Sequence, residues 1–202
     1  MTSSYRIQIF CRIPEAGRAK TRLVPVLGED GAANLAADLI RRLVHSLSEF
    51  NMESLELWYA GEDTDDFLAE FEGIRCRRQQ GADLGERMQH ALHDGLESAE
   101  RAILIGTDCP PIDYSYIVAA VEALNDHHVV LGPAEDGGYG LIGVRNHVPD
   151  IFSGIEWSTE QVLVQTCRKL DEQKLSYTLL PLIWDVDRPE DLHRYYAWLD
   201  QS

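Results

Sequence analysis

The chain has 202 residues and a formal net charge of -16 at pH 7. That length fits one domain, residues 1–202, able to bury a full core without staples, and the charge repels nucleic acid and anionic membranes, so neither is expected as a partner. Four cysteines (Cys11, Cys76, Cys109, Cys167) are scattered with no C-x-x-C pair, which argues against a disulfide framework or a zinc site. They fit a reducing cytoplasm. The apolar run before Arg12 is too short for a signal peptide and no later run reaches the length of a membrane span, so a cytoplasmic protein is expected.

Tyr5 to Cys11 alternates and then turns apolar, which predicts a first strand. The loop after it carries Arg12, Arg18, Lys20 and Arg22, opposed only by Glu15. Like charges packed this tightly repel unless an anion joins them, and Gly17 lets backbone approach a ligand, so the loop reads as a phosphate grip. It is neither a Walker loop nor a G-x-G-x-x-G, and a solvated basic loop is its plain alternative. After Gly28, leucines 35, 39, 43 and 47 recur at helical spacing from about Ala32 to Leu47.

Leu55 to Ala60 predicts a second strand, and Glu62, Asp63, Asp65 and Asp66 open a short acidic helix to Phe71 with no chemistry assigned to it. Ile74 to Arg78 is a short third strand. Gln80 and Gly81 follow at its carboxyl end, where an amide reads a nucleotide base or the chain merely turns. Asp83 with Glu86 forms a capping box for a helix to about Ala99, on which His90 and His93 are expected to be exposed.

Ala102 to Ile105 is apolar without alternation, the pattern of a buried parallel strand, and Gly106-Thr107-Asp108-Cys109-Pro110-Pro111 stops it. Ligands of open α/β sheets bind beyond the carboxyl ends of the strands, so Asp108 either holds a metal ion or caps its own turn. Asp113 is the expected N-cap of the helix Tyr114 to Leu124. Val129 to Pro133 is another buried strand, delivering Glu135-Asp136-Gly137-Gly138-Tyr139-Gly140 before the strand Leu141 to Val144. Those glycines form a bulged hairpin, or they admit a substrate while Asp136 stays free as a base. Ser158 with Gln161 reads as a capping box for a helix to about Leu170, and Tyr177 to Leu182 as a last strand. Before the final helix, to Leu199, Asp187 is either the N-cap, with Glu190 three residues on, or a second metal ligand.

Strands and helices alternate as in βαβ units, which predicts a mostly parallel sheet covered on both faces. The chain also resembles a known family. Its carriers are Pro14-x-x-Gly17-x-x-Lys20-Thr21-Arg22-Leu23, Asp83-Leu84-Gly85-Glu86-Arg87, Gly106-Thr107-Asp108-Cys109-Pro110, Gly132-Pro133-x-x-Asp136-Gly137-Gly138-Tyr139, Trp157-Ser158-Thr159 and Asp185-x-Asp187-x-Pro189-x-Asp191-Leu192. Together, from Phe10 to Leu192, they resemble the small bacterial glycosyltransferase-like proteins formerly grouped under a domain of unknown function (DUF2064 type), within the nucleotide-diphospho-sugar transferase (GT-A) superfamily.

That resemblance implies an α/β, Rossmann-like GT-A fold: a mostly parallel mixed sheet with helices on both faces and one antiparallel strand, Leu141 to Val144. It implies that the first loop (Arg12, Gly17, Arg18, Lys20, Arg22) grips nucleotide phosphates and that Asp108 with Asp185 and Asp187 holds Mg²⁺ or Mn²⁺; Gln80, Gly81, Gly137, Gly138 and Tyr139, from their own positions, are the further candidates to line the substrate. Two reactions follow from it, with Lys20, Arg22 and Asp136 as catalytic candidates. Glycosyl transfer from a nucleoside-diphosphate sugar to a small acceptor, with Asp136 as base, is favoured on family grounds. Nucleotidyl transfer from a nucleoside triphosphate to a phosphorylated substrate is the alternative. Each reaction lacks a feature: Asp108-Cys109-Pro110 is not a D-x-D, and the only lysines are Lys20, Lys169 and Lys174, with none mid-chain. A non-catalytic nucleotide binder is the third possibility.

Overall fold

The computed structural model describes residues 4–62 and 65–201. Asp63, one of the acidic residues expected to open the second helix, lies outside them. Among the described residues the strands are β1 (Tyr5–Arg12), β2 (Leu55–Ala60), β3 (Arg75–Arg78), β4 (Arg101–Gly106), β5 (Val129–Pro133), β6 (Tyr139–Arg145) and β7 (Tyr177–Leu179). They form one sheet in the order β3-β2-β1-β4-β6-β5-β7. Only β6 runs against its neighbours, pairing antiparallel with β4 and β5, as expected for Leu141 to Val144.

The helices are α1 (Val24–Ser46), α2 (Asp65–Ala69), α3 (Leu84–Ser98), α4 (Tyr114–Ala123), α5 (Val162–Glu172) and α6 (Pro189–Leu199). Side chains alternate across a strand, and both faces of this sheet are covered, which is why the central strands read as continuous apolar runs. From β1, Ile7 and Ile9 join Leu57, Ile103 and Ile105 against Ile40 and Leu43 of α1 and Ile117 of α4. Phe10 points the other way, joining Trp58 and Leu104 against Met88, Ala91 and Leu92 of α3. The edge strand β3 is Arg-Cys-Arg-Arg, a charged edge that discourages further pairing.

A third cluster positions the site. Leu23, Leu35 and Leu39 pack on Trp184, Val186, Leu192 and Tyr195, fastening α6 and the chain before it onto α1. Gly28 (φ +73°) breaks the first turn of α1 from the rest, so the apolar stripe begins after it.

Three of the boundaries that differ from expectation bear on the site. β7 ends at Leu179 because Pro181 has no N–H, although Leu180 and Ile183 still donate to Leu131 and Pro133 carbonyls. Ser158 caps no helix: its φ is +64°, α5 begins at Val162, and the Leu163 N–H is satisfied by the Gly137 carbonyl at 3.0 Å. Asp187 is not the N-cap of α6. The helix starts one residue later, and Asp191 reaches back to accept the N–H groups of Asp187 (3.0 Å) and Arg188 (2.7 Å). The Asp187 side chain is thereby freed from capping.

Asp113 does cap α4, accepting the Tyr116 N–H at 2.9 Å. Asp113→Ala is expected to lower stability by about 1 kcal/mol in equilibrium urea denaturation with an unchanged m-value.

Candidate functional site

The carboxyl ends of β1, β3 and β4 and the start of antiparallel β6 meet at one edge of the sheet, where a cleft of about 480 Å³ opens. Three distant segments interlock at its floor. Lys20 lies at the end of the first loop with left-handed backbone (φ 47°), a conformation that a non-glycine residue holds only when its surroundings enforce it. Its ammonium is 2.7 Å from Asp108 Oδ1 and donates to the Val186 carbonyl. The Val186 N–H in turn donates to the Asp108 carbonyl at 2.8 Å. The Lys20 side chain is 6 % exposed, so its charge requires these partners; Asp108 is 55 % exposed and keeps a face toward solvent.

Lys20, Arg12, Arg18 and Arg87 line this cleft, against Asp108 and Asp187. Four cations and two carboxylates leave the lining two charges positive, on a chain whose net charge is -16. Arg12 forms no ion pair among the described residues, whereas Arg18 is held by Glu15 at 2.9 Å and lies 3.8 Å from Glu62. Arg22 stays off the lining and pairs with Asp187 at the rim. Gly17 (φ +73°) is also off the lining, with the Glu29 carboxylate packed over its bare α-carbon.

Arg87 and Gln79 were missed as site residues. Arg87 is the last residue of the Asp83–Arg87 block and falls in the first turn of α3, where its Nε donates to the Gly81 carbonyl at 3.1 Å. Gln79, not Gln80, faces the cleft. Its Nε2 donates to the Cys11 and Trp58 carbonyls at 3.1 and 3.0 Å, which leaves Oε1 as the free acceptor. Side-chain direction alternates along an extended chain, so a one-residue slip exchanges the inward amide for the outward one. Gly81 (φ +143°) lies outside the lining and allows the chain to pass close to the Arg87 N–H.

The glycine-rich turn lies beside the cleft. Asp136 Oδ1 accepts the Gly138 N–H at 2.9 Å, and Asp136 is exposed. Gly137 and Gly138 do not line the cleft; Gly137 makes room for the Glu160 backbone. Tyr139 lines it, but its hydroxyl is buried beside Thr166, and burial pushes that hydroxyl's pKa well up. Burial, then Asp108 and Asp185, likewise push up the Cys109 thiol, so it is no nucleophile.

Asp185 is half-buried, and burial first, then the negative charges of Asp136 and Asp187, push its carboxyl up to about 6 against its own backbone hydrogen bond and Lys20. Carboxylates that repel one another in this way are suited to a divalent cation. Among the described residues no three His, Cys, Asp or Glu side chains are grouped to hold a metal ion by themselves. Mg²⁺ ordinarily takes only one or two carboxylates and completes its shell with substrate oxygens and water, so Asp108 and Asp187, with Asp185 beside them, fit it.

The family described as an uncharacterized protein conserved in bacteria (DUF2064) matches residues 43–159. The chain belongs to that family. A protein of Desulfovibrio desulfuricans G20, provisionally named a nucleotide-diphospho-sugar transferase, superposes with a TM-score of 0.89 at 34 % identity, covering 96 % of this chain and 87 % of its own. The 2-phospho-L-lactate guanylyltransferase of Methanopyrus kandleri is 28 % identical over 183 residues, 88 % of this chain and 85 % of its own. CMP:2-keto-3-deoxy-manno-octonic acid synthetase shares the fold (TM-score 0.63, 14 % identity, 98 % and 99 % covered). The DUF2064 chain thus has the nucleotide-diphospho-sugar transferase fold, and its relatives are transferases by name.

Asp185 also gives the site a pH signature. The folded chain holds this proton more tightly than the unfolded chain, so ionised Asp185 costs stability above about pH 6, and the cost fades as pH falls toward the ordinary carboxylate range. With a chelator present, Asp185→Asn should stabilise the protein at pH 7.5 by about 1 kcal/mol, a figure discounted for solvent screening of a half-exposed group. Urea denaturation should show that gain shrinking at pH 4.5.

Proposed function

We propose that this chain is a nucleotidyltransferase. An oxygen of a phosphorylated small molecule attacks the α-phosphorus of a nucleoside triphosphate, the bond from that phosphorus to the bridging oxygen breaks, and pyrophosphate leaves. The observation that carries this reading is the cationic lining, with Arg12, Arg18 and Arg87 around the fixed Lys20 on an otherwise anionic chain. The 28 % identity to a guanylyltransferase across 88 % of the chain supports it.

Each part of the cleft then has a task. Arg12 and Arg87 meet the phosphates, and Lys20, already held in place, stabilises charge as pyrophosphate departs. Preorganised donors of this kind are worth roughly 3 to 4 kcal/mol each. Arg22 acts through Asp187, which it holds at the rim. Gln79 Oε1 takes over the base-reading role first given to Gln80, accepting from an amino or imino group of the base. Mg²⁺ or Mn²⁺ held by Asp108 and Asp187, with Asp185 near, would supply Lewis-acid stabilisation of the phosphate oxygens. The attacking phosphate oxygen is already ionised, so this reaction needs no protein base.

Glycosyl transfer is the second reading, favoured by the name of the 34 % identical relative. In it, exposed Asp136 takes the proton of an acceptor hydroxyl. The setting proposed for either reaction is the cytoplasm, where nucleotides are abundant and all four cysteines remain thiols.

The test supplies each of the four common nucleoside triphosphates, or nucleoside-diphosphate sugars, with a set of phosphorylated and unphosphorylated small acceptors, with and without Mg²⁺ or Mn²⁺. Pyrophosphate release that needs both the phosphorylated acceptor and the metal is expected, falling at least a hundredfold in Asp108→Asn, with the triphosphate KM rising about tenfold in Arg87→Ala. Consumption of a nucleotide sugar without pyrophosphate would establish the second reading. Metal-indifferent binding without turnover would establish a non-catalytic binder.

A further inference from the structure

Trp157 takes no part in the chemistry above, yet two glycines, one on the helix that carries Arg87 and one in the turn that leads into Tyr139, are shaped around its segment. A methyl group on Gly85, in the first turn of α3, would lie 2.7 Å from Trp157 Cζ2, 2.8 Å from Nε1 and 2.9 Å from Cε2. A methyl group on Gly137, in the glycine-rich turn, would lie 2.3 Å from the Glu160 carbonyl oxygen. Real side chains do not approach so closely, so residues 157–160 fill both hollows completely.

The segment is also stiff. The Trp157 ring stacks on Phe152 at 6.4 Å, and Thr159 Oγ1 donates to the Glu156 carbonyl at 2.7 Å. The Gln165 side chain of α5 binds the N–H and the carboxylate of Glu156 at 2.9 and 3.1 Å. Ser158, in left-handed backbone, lies between the Trp157 ring on Gly85 and the Glu160 backbone on Gly137. The α3 wall of the cleft carries Arg87, two residues past Gly85, and the glycine-rich turn leads from Gly137 into Tyr139 and Gly140, which also line the cleft.

We infer that Trp157 is a positioning residue: seated in the hollow at Gly85, in the same segment whose Glu160 backbone fills the hollow at Gly137, it fixes the start of α3 relative to the glycine-rich turn and thereby the reach of Arg87 to a bound polyphosphate. The inference rests on the polyphosphate reading of the cleft. Gly85→Ala pushes the indole out of its hollow and Trp157→Leu empties it, and either change lets the α3 wall shift relative to Asp108 and Lys20. A shift of that kind weakens binding of the ligand that spans the walls, while the bond-making groups stay where they are.

The test measures tripolyphosphate and GTP binding by calorimetry, alongside thermal melting, in the full-length chain. Trp157→Leu and Gly85→Ala should each weaken binding about tenfold in protein that still unfolds cooperatively. Gly85→Ala/Trp157→Phe, in which the smaller ring makes room for the added methyl, should recover most of the loss. A purely structural role would lower the melting temperature and leave affinity unchanged in the folded fraction. Unchanged affinity in Trp157→Leu, or no recovery in the double variant, overturns the inference. Lys20→Ala and Arg87→Ala separate the two ideas. If they weaken binding and the Trp157 and Gly85 variants do not, only the positioning role falls; if they too leave binding unchanged, the polyphosphate reading falls and takes this one with it.

Discussion

The organisation of this molecule depends on one buried cation. The Lys20 ammonium is almost closed to solvent, and the cost of removing its charge from water has to be met by the Asp108 carboxylate at 2.7 Å and the Val186 carbonyl. Those partners come from the end of a central strand and from the approach to the last helix, and the Val186 N–H closes the ring onto Asp108. No short-range pattern requires the three to meet. The third core cluster brings them together, seating Trp184 and Val186 against Leu23 and the inner face of α1. Hydrophobic burial thus positions the polar groups, and the polar groups fix the floor of the cleft.

Around that floor the charge is divided. The chain is strongly anionic, which keeps polyanions at a distance, but the cleft lining is locally cationic. A small anionic ligand meets attraction where Arg12, Arg18 and Arg87 converge, and a low-dielectric wall focuses that field. Carboxylates stand close to these cations as well: Asp108 and Asp187 pair with Lys20 and Arg22, and burial first, then the charges of Asp136 and Asp187, raise Asp185 to about 6. Cations and mutually repelling carboxylates around one cleft match a ligand that brings both phosphates and a metal.

The sheet was legible because a strand buried on both faces has a plain signature. Ala102 to Ile105 and Val129 to Leu131 are apolar at every position, and β6 reads as antiparallel once the family resemblance is admitted. The anchors Lys20, Asp108 and Asp187 were legible as charges out of place. What was not legible is side-chain direction. Gln79 and Gln80 are chemically identical neighbours, and only the register of β3 against β2 selects the inward one. Asp187 and Asp191 both sit correctly to cap α6; the helix start, one residue later than expected, hands that role to Asp191. Ser158 has the spacing of a capping box but stands in left-handed backbone between Trp157, packed on Gly85, and Glu160, packed on Gly137, positions far away in sequence. Arg87 was read as part of a helix start, and its place on the cleft wall follows only from how α3 leans on β1 and β4.

The most direct test of the central claim is a crystal structure of the protein with a non-hydrolysable nucleoside triphosphate analogue. The phosphates are predicted to lie in the cleft within hydrogen-bonding distance of Arg12 and Arg87 and beside the Lys20–Asp108 pair. Phosphates seated elsewhere, for example in the groove between α1 and α6 where Arg42 and His45 lie, would contradict the account.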